Sequence, residues 1–452
     1  NQENVASAAA LLKRSVNIPD AYHAQGFDFT GTKRFDEQNN YRSTSFLTIP
    51  MLNTEDDVIG VLQLLNARDR DTGKTIPFEE EEQRIVEALA SQAAVALENQ
   101  QLIEGQKLLL ESFIKLIAAA IDAKSPYTGA HCERVPVLTE LLAKAACEST
   151  SGSLTDFSLS DDEWYELKIA AWLNDCGKVV TPVHVMDKAT KLETITDRIA
   201  TIEARFEVAK RDLEIAYLKK ALAGAEVSTQ AREEYEKSKA ELDEDLHSIQ
   251  HVNVGGEYLP PDKQEQIRGI ASRNYSGEEG SAGGAMLTDE EVHNLCVSKG
   301  TLTNNERLII NNHMVQTIKM LNALPFPRHL KRVPEYAGGH HEKMDGSGYP
   351  KGIYAGDMSV PARLMAIADV FEALTAQDRP YKKGKTLSES MRIMGFMKKD
   401  NHLDPELFDL FVTAGVYREY AHRYLPDELI DEVDEEALLA IEPRPFDLPE
   451  DS

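Results

Sequence analysis

The chain has 452 residues, 76 of them acidic against 49 basic, for a formal net charge of −27. That length holds two or three domains with separate cores. The charge excludes duplex nucleic acid as a partner, because no basic tract competes with phosphate counterions, yet a small anionic nucleotide is compatible with a locally positive, metal-loaded pocket. Four scattered cysteines, Cys132, Cys147, Cys176 and Cys296, form no Cys-x-x-Cys pair and read as free thiols of a reducing cytoplasm. There is no apolar run of about eighteen residues and no signal-peptide pattern, so no membrane segment is expected. The chain opens on Asn1, not Met, and is expected to be a fragment.

Residues 1 to about 100 have the texture of an α+β module. Two apolar runs, 44–51 and 58–66, predict buried strands joined by the polar turn 53–57, and an acidic helix start follows at 77–80. Together with 16–22 and the closing helix that ends at 93–99, this hairpin resembles the second half of a GAF domain, a small-ligand sensor fold, with its opening helix and first strands missing. Residues 66–78 echo the motif of cyclic-nucleotide-binding GAF domains, but Ala67 stands where that motif has Lys, so a dimerising, structural role is expected. From 78 to 121 the pattern is almost continuously helical, with apolar side chains at Ile85, Leu89, Val95, Leu102, Leu109 and Leu116. Such a helix either pairs with its twin in a homodimer or is buried against its own chain.

The next candidates carry chemistry. His131 sits in 128–135, Asn174, Asp175 and Lys178 in 172–178, and His313 opens the apolar-periodic stretch 313–321. Residues 339–350 then pack His340, His341, Glu342 and Asp345 into a glycine-punctuated turn that ends Gly348-Tyr349-Pro350, and Asp369 and Glu372 follow on a helical pattern. Any one of these alone reads as an ordinary core or surface residue. Together they have the order in which helical folds bring histidines and carboxylates to one multinuclear site. Adjacent imidazoles do not share a helix face, so His340 and His341 are expected to reach different ions or different sides of one cluster.

Two divalent ions sharing a carboxylate such as Asp175 lower the pKa of a water between them, which suits phosphodiester hydrolysis. Lys178, three residues on, would share the face of Asp175 on a continuing helix and offset charge on phosphate oxygens. Glu342 and Asp345 are expected to orient imidazoles. Glu372 would orient the nucleophile or protonate the leaving oxygen, or be solvated. Between Lys178 and His313 lies a long spacer, about 190–300, whose stretch 195–249 predicts an antiparallel helical hairpin and whose Ser/Gly-rich stretch 273–284 predicts a mobile loop. His247 and His251 in it read as surface residues.

The His-His-Glu run followed by Asp-Gly-x-Gly-Tyr-Pro, with the later Asp378-Arg379-Pro380-Tyr381-Lys382, resembles the HD-GYP group of metal-dependent phosphohydrolases, whose recognised members hydrolyse cyclic di-GMP. The resemblance covers about 112–425. It implies two iron or manganese ions bridged by Asp175, with His131, His313, His340, His341 and Asp369 completing the set. It also places Lys178, Arg379, Lys382 and the Gly348-Tyr349-Pro350 turn at the substrate, and makes Arg134 a structural partner. Two positions depart from the group: Asn174 stands where it has the His of its His-Asp pair, and Tyr127 where some members have a third-metal Glu. One metal position is therefore expected to be weakened or empty, since a neutral amide oxygen is a poor ligand beside imidazole or carboxylate.

The expected architecture is a partial GAF-like sensor at 1–100, a linker helix at 101–121, an all-α HD-GYP-type domain at 122–425 with a helical-hairpin insertion at about 190–300, and a solvated acidic tail at 426–452. The expected activity is a cyclic dinucleotide phosphodiesterase. The rival expectation is a receptor that binds the dinucleotide without turning it over.

Overall fold

The computed structural model describes residues 4–124, 131–222, 229–256, 258–275, 284–376 and 384–446. It divides into two units, Asn1–Phe113 and Ile114–Ser452. In the first, strands β1 (Val16–Ile18), β2 (Phe46–Leu52) and β3 (Val58–Leu65) form an antiparallel sheet in that order, with Ile49 opposite Leu62. The 53–57 turn closes because Asn53 Oδ1 accepts the backbone N–H groups of Glu55 and Asp57 at 3.0 and 2.7 Å.

Helices α1 (Val5–Leu12) and α2 (Thr30–Asn39), which sequence reasoning did not place, complete this unit. Val5 of α1 packs with Ile18, Ala21, Phe29 and Phe46 in one cluster. The buried carboxylate of Asp36 accepts from Tyr22 Oη, Ser43 N and Ser43 Oγ at 2.7–2.8 Å. A second cluster joins Leu47 and Ile49 of β2 to Ala90, Val86 and Phe78. Ala90 and Val86 belong to α3, a single 45-residue helix spanning Glu80–Lys124 with three glutamates in its first turn. The stretch expected as a separate linker is the interior of this helix.

The regular structure of the second unit is helical apart from the pairing of Asn274–Tyr275 with Gly284–Ala285 and the isolated bridges Glu193–Asp197 and Asp345–Tyr354 among the described residues. Helices α4 (His131–Glu148) and α5 (Asp161–Leu173) precede a short α6 (Val183–Met186). The insertion contributes α7 (Ile199–Leu222), α8 (Thr229–Asn253), α9 (Pro261–Ala271) and α10 (Asp289–Leu295). After it come α11 (Asn304–Asn322), α12 (Val333–Gly339), α13 (Val360–Thr375), α14 (Leu387–Lys399), α15 (Pro405–Thr413), α16 (Val416–Tyr424) and α17 (Glu435–Leu439). Capping boxes at Ser160/Glu163, Thr288/Glu291, Thr303/Glu306 and Thr386/Glu389 fix where α5, α10, α11 and α14 begin. Helix α13 is buried almost all round: Leu364, Met365, Ile367 and Ala368 are inaccessible, and Phe371 meets Phe411 and Tyr420 edge-on. No helix among the described residues is long and apolar enough to cross a membrane.

Two expectations need correction here. The insertion is more than a hairpin. Helices α7 and α8 do run antiparallel, with Tyr217 stacked on Tyr235 at 4.9 Å and Gln250 donating to Glu203 at 2.7 Å. Yet Ile202, Phe206, Ile249, Ile267, Ile270, Leu287 and Leu295 form a core shared with α9 and α10, and the ends of the stretch expected as a mobile loop are paired backbone, residues 276–283 between them lying outside the described residues. The acidic C-terminal stretch is also packed, not wholly solvated: Leu438 is buried, Leu438 and Ile441 close on Gly395, Glu435 takes the Tyr417 hydroxyl, and Asn401 donates to Arg444 O at 2.7 Å. Its apolar residues, spaced among the acids, supply the contact. His247 and His251 are exposed.

Because Phe206 has no exposed surface, Phe206→Ala should destabilise the insertion by about 3–5 kcal/mol. Hydrogen exchange should show faster amides in α7–α10 with α13 unchanged; an unchanged insertion would mean that this cluster does not hold it together.

Candidate metal centre

His131, Asp175, His340 and His341 stand at or beside helix ends, whereas His313 and Asp369 lie inside α11 and α13. Helix α5 stops at Leu173, Asn174 caps it, and Asp175 starts a 3-10 turn, Cys176–Val180. Lys178 is therefore not on a continuing helix as expected. It still meets Asp175, Nζ to Oδ2 at 2.6 Å, because residues three apart eclipse each other in a 3-10 turn. His131 begins α4 and His313 lies mid-way along α11. His340 caps the end of α12, which frees His341 from helical geometry. The two adjacent imidazoles thus converge, with ring centres 4.3 Å apart, and are not sent to different sides.

The donor atoms of Asp175, His313, His340 and His341 lie within 4.8 Å of one another, and so do those of His131, Asp175 and Asp369. Asp175 belongs to both sets. His313 Nδ1 faces Ile310 O at 2.6 Å and His340 Nδ1 faces Ala337 O at 2.7 Å. Each carbonyl fixes a proton on Nδ1 and leaves the Nε2 lone pair for the centre. These two Nε2 atoms, Asp175 Oδ1 and Asn174 Oδ1 are buried without a hydrogen-bond partner. Orphaned atoms of this kind are costly unless something else binds them, and imidazole nitrogen with carboxylate oxygen is a donor set that suits iron or manganese.

Electrostatics agree with a cation-binding role. Burial works against the charge of Asp175, but Lys178 and His131 overcome it and hold the carboxyl well below its usual range. Asp369 is likewise held low against burial by His131 and His340. His131 is pushed the other way: burial opposes its charge, yet Asp175, Asp369 and Glu372 raise its pKa well above that of free imidazole. Burial keeps His340 and His341 below the ordinary histidine value, and so neutral and able to donate a lone pair.

The remaining expectations fall differently. Glu372 is fully engaged, one oxygen on His131 Nδ1 and the other accepting from Arg134 Nε at 2.6 Å, and is held ionised. It is a buried brace for His131, neither solvated nor free to protonate a leaving group. Glu342 does not orient an imidazole: its oxygens accept the backbone N–H groups of Lys351, Gly352 and Ile353 at 2.8–3.3 Å and staple the loop after His341. Asp345 accepts from Ser347 N and Oγ within that loop. The part expected of these carboxylates falls to the backbone carbonyls and to Tyr349, whose ring stacks on His341 at 4.8 Å and 16°. Tyr349 and Pro350 are joined by a cis peptide bond, and a Cβ at Gly348 would stand 2.4 Å from Glu342 Cα. Asn174 Nδ2 donates to Asp369 Oδ1 at 3.5 Å, at the edge of hydrogen-bond range. Tyr127, Arg379 and Lys382 lie outside the described residues.

Sequence reasoning missed Gly177 and Thr317. Gly177 N donates to Thr317 Oγ1 at 2.9 Å, and a Cβ at Gly177 would stand 2.0 Å from His313 O. This contact sets the distance between the Asp175 turn and α11. A glycine directly between Asp-Cys and Lys was the available signal.

A GAF domain model matches residues 1–97 and an HD domain model matches residues 283–407. The chain therefore carries an N-terminal GAF domain and an HD domain, and the HD-GYP resemblance is borne out. A 3'3'-cGAMP-specific phosphodiesterase of Vibrio cholerae is 40% identical over 129 residues, 28% of each chain. A cyclic di-GMP phosphodiesterase of Pseudomonas aeruginosa is 36% identical over 135 residues, 30% of this chain and 31% of the relative. One from Thermotoga maritima is 35% identical over 129 residues, 27% of this chain and 34% of the relative. The chain thus spans about a third or less of these relatives' lengths.

Gly177→Ala should push the Asp175 turn away from α11 and lower the metal bound per chain by about tenfold in affinity or more. Elemental analysis with circular dichroism checks this; full metal retention would show that the turn can shift without loss of the centre.

Proposed function

We propose that this chain, which joins a GAF domain to an HD domain, is a metal-dependent phosphodiesterase that hydrolyses a cyclic dinucleotide, cyclic di-GMP being the expected substrate. The observation that carries this reading is the set of buried, unpartnered donor atoms around Asp175. The residues would hold two divalent ions, iron or manganese: His313, His340 and His341 on one side of Asp175, His131 and Asp369 on the other. Such ions polarise a phosphodiester and make water a nucleophile at neutral pH.

The chain's own groups do the rest. Glu372 keeps a proton on Nδ1 of His131, so that once an ion displaces the Nε2 proton the Nε2 lone pair would face the centre. Lys178 keeps its charge beside Asp175 and Asp369, which raise its pKa against the effect of burial, and would offset negative charge on the phosphate oxygens. The Tyr349 stack restrains His341. The relatives that act on cyclic di-GMP and 3'3'-cGAMP support the substrate class.

Asn174 favours a second reading, a receptor in which turnover is slow. Its amide is buried beside Asp369, where imidazole would bind an ion more strongly. Losing a ligand harms catalysis more than substrate binding, since affinity needs only the phosphate-facing cations and a shaped pocket. Asn174→His should therefore raise bound metal and increase manganese- or iron-dependent hydrolysis of cyclic di-GMP by about tenfold or more, and Asp175→Ala should abolish it in either background. Elemental analysis and product chromatography read both. Robust turnover with Asn174 in place removes the impaired-site reading, and no binding or cleavage of any cyclic dinucleotide by any variant removes the substrate.

The partner we propose for α3 is a second copy of the chain, with the GAF domain alongside. Val95, Leu102, Leu109 and Leu116 recur every seven residues and are 46–64% exposed, a spacing that supports pairing with a second helix. Placing Glu at Leu102 and Leu109 should yield monomers by light scattering; an unchanged dimer mass would put the contact elsewhere.

A further inference from the structure

The last residue of α3 grips the turn that carries the catalytic cation. Ile114, Ala118 and Ile121, spaced along one face of its final turns, are buried, and Lys115 stands 5.9 Å from the Trp172 ring, two residues before Asn174. Lys124 continues that face. Its Nζ donates to Lys178 O at 3.1 Å, to Thr181 O at 2.7 Å and to Val179 O between them. An ammonium has three N–H donors, and here all three are spent on the carbonyls of one short segment. The same segment is held on its other side by Gly177 N on Thr317 and internally by Lys178 N on Asp175 O at 2.9 Å.

We propose that Lys124 is a positioning residue for Lys178. It fixes the carbonyl side of the turn, so that the Lys178 ammonium meets Asp175 at the centre, and it makes the placement of that ammonium depend on where α3 ends. The dependence is steep. One residue of helical rise is about 1.5 Å, enough to carry these contacts out of hydrogen-bond range, which closes near 3.2 Å. A slide of α3 along its axis by one residue therefore releases the turn. The catalytic part of this inference rests on the phosphodiesterase reading; the structural part, that Lys124 immobilises the 178–181 turn, does not.

The test uses the full chain with Lys124→Met, Lys124→Gln and Lys124→Arg. Hydrogen exchange of the Lys178 and Thr181 amides should quicken by about tenfold in the Met and Gln variants and stay near the parent rate in the Arg variant, with the amides of α13 unchanged as the control for folding. In the manganese-loaded Asn174→His background, Lys124→Met should lower kcat for cyclic di-GMP about tenfold or more with KM little changed. That loss should disappear when Lys178→Met is already present. Unchanged exchange at 178–181, or a kcat loss that simply adds to that of Lys178→Met, overturns the proposal. Absence of turnover in every variant falls on the phosphodiesterase reading alone, because the exchange result still decides the role of Lys124.

Discussion

A carboxylate sealed from water sets the terms for the second unit. Asp175 is 1% exposed, and an ionised group so placed is tolerated only when opposite charges and donors surround it. Lys178 and His131 are those groups, one from the 3-10 turn after α5 and one from the start of α4. The close approach at Gly177 brings α11 near enough for His313 Nε2 to stand 3.3 Å from Asp175 Oδ1. One oxygen of Asp175 is saturated by Lys178 and His131, and the other has no hydrogen-bond partner. Half of the carboxylate is thus spent on neighbouring side chains and half has no hydrogen-bond partner.

Helix ends do most of the positioning. A histidine within a helix is bound to the face its neighbours define, whereas residues at a terminus or in a 3-10 turn can be aimed singly. His131 at the start of α4, Asp175 after α5, and His340 and His341 at the close of α12 all exploit this. The loop that follows His341 would otherwise be loose, and Glu342 staples it by accepting three backbone donors. Lys124, at the close of α3, holds the 178–181 turn in the same manner by donating to its backbone carbonyls.

Much of this was legible in the sequence. The apolar runs at 44–51 and 58–66 point to the hairpin, the long apolar period to α3, and the order of His, Asp-x-x-Lys, His, His-His and Asp to the residues that cluster. What was not legible turned on where helices stop. Lys178 was assigned to a continuing helix that ends at Leu173, and His340 and His341 were separated by a helical constraint that lapses at Gly339. Glu342, Asp345 and Glu372 were given roles from their proximity in sequence to ligands, but a carboxylate's role depends on which donors the fold brings to it. For Glu372 these come from residues 131 and 134, far away in the chain. The insertion's core depends on contacts between α7–α8 and α9–α10 that no local period reveals.

The central claim, that the unpartnered atoms around Asp175 are metal ligands, is tested most directly by anomalous diffraction from crystals of the full chain soaked in manganese. An anomalous peak is expected within coordination distance of Asp175 Oδ1 and the Nε2 atoms of His313 and His340. Data that show manganese only on exposed carboxylates, with no peak at these atoms, would contradict it.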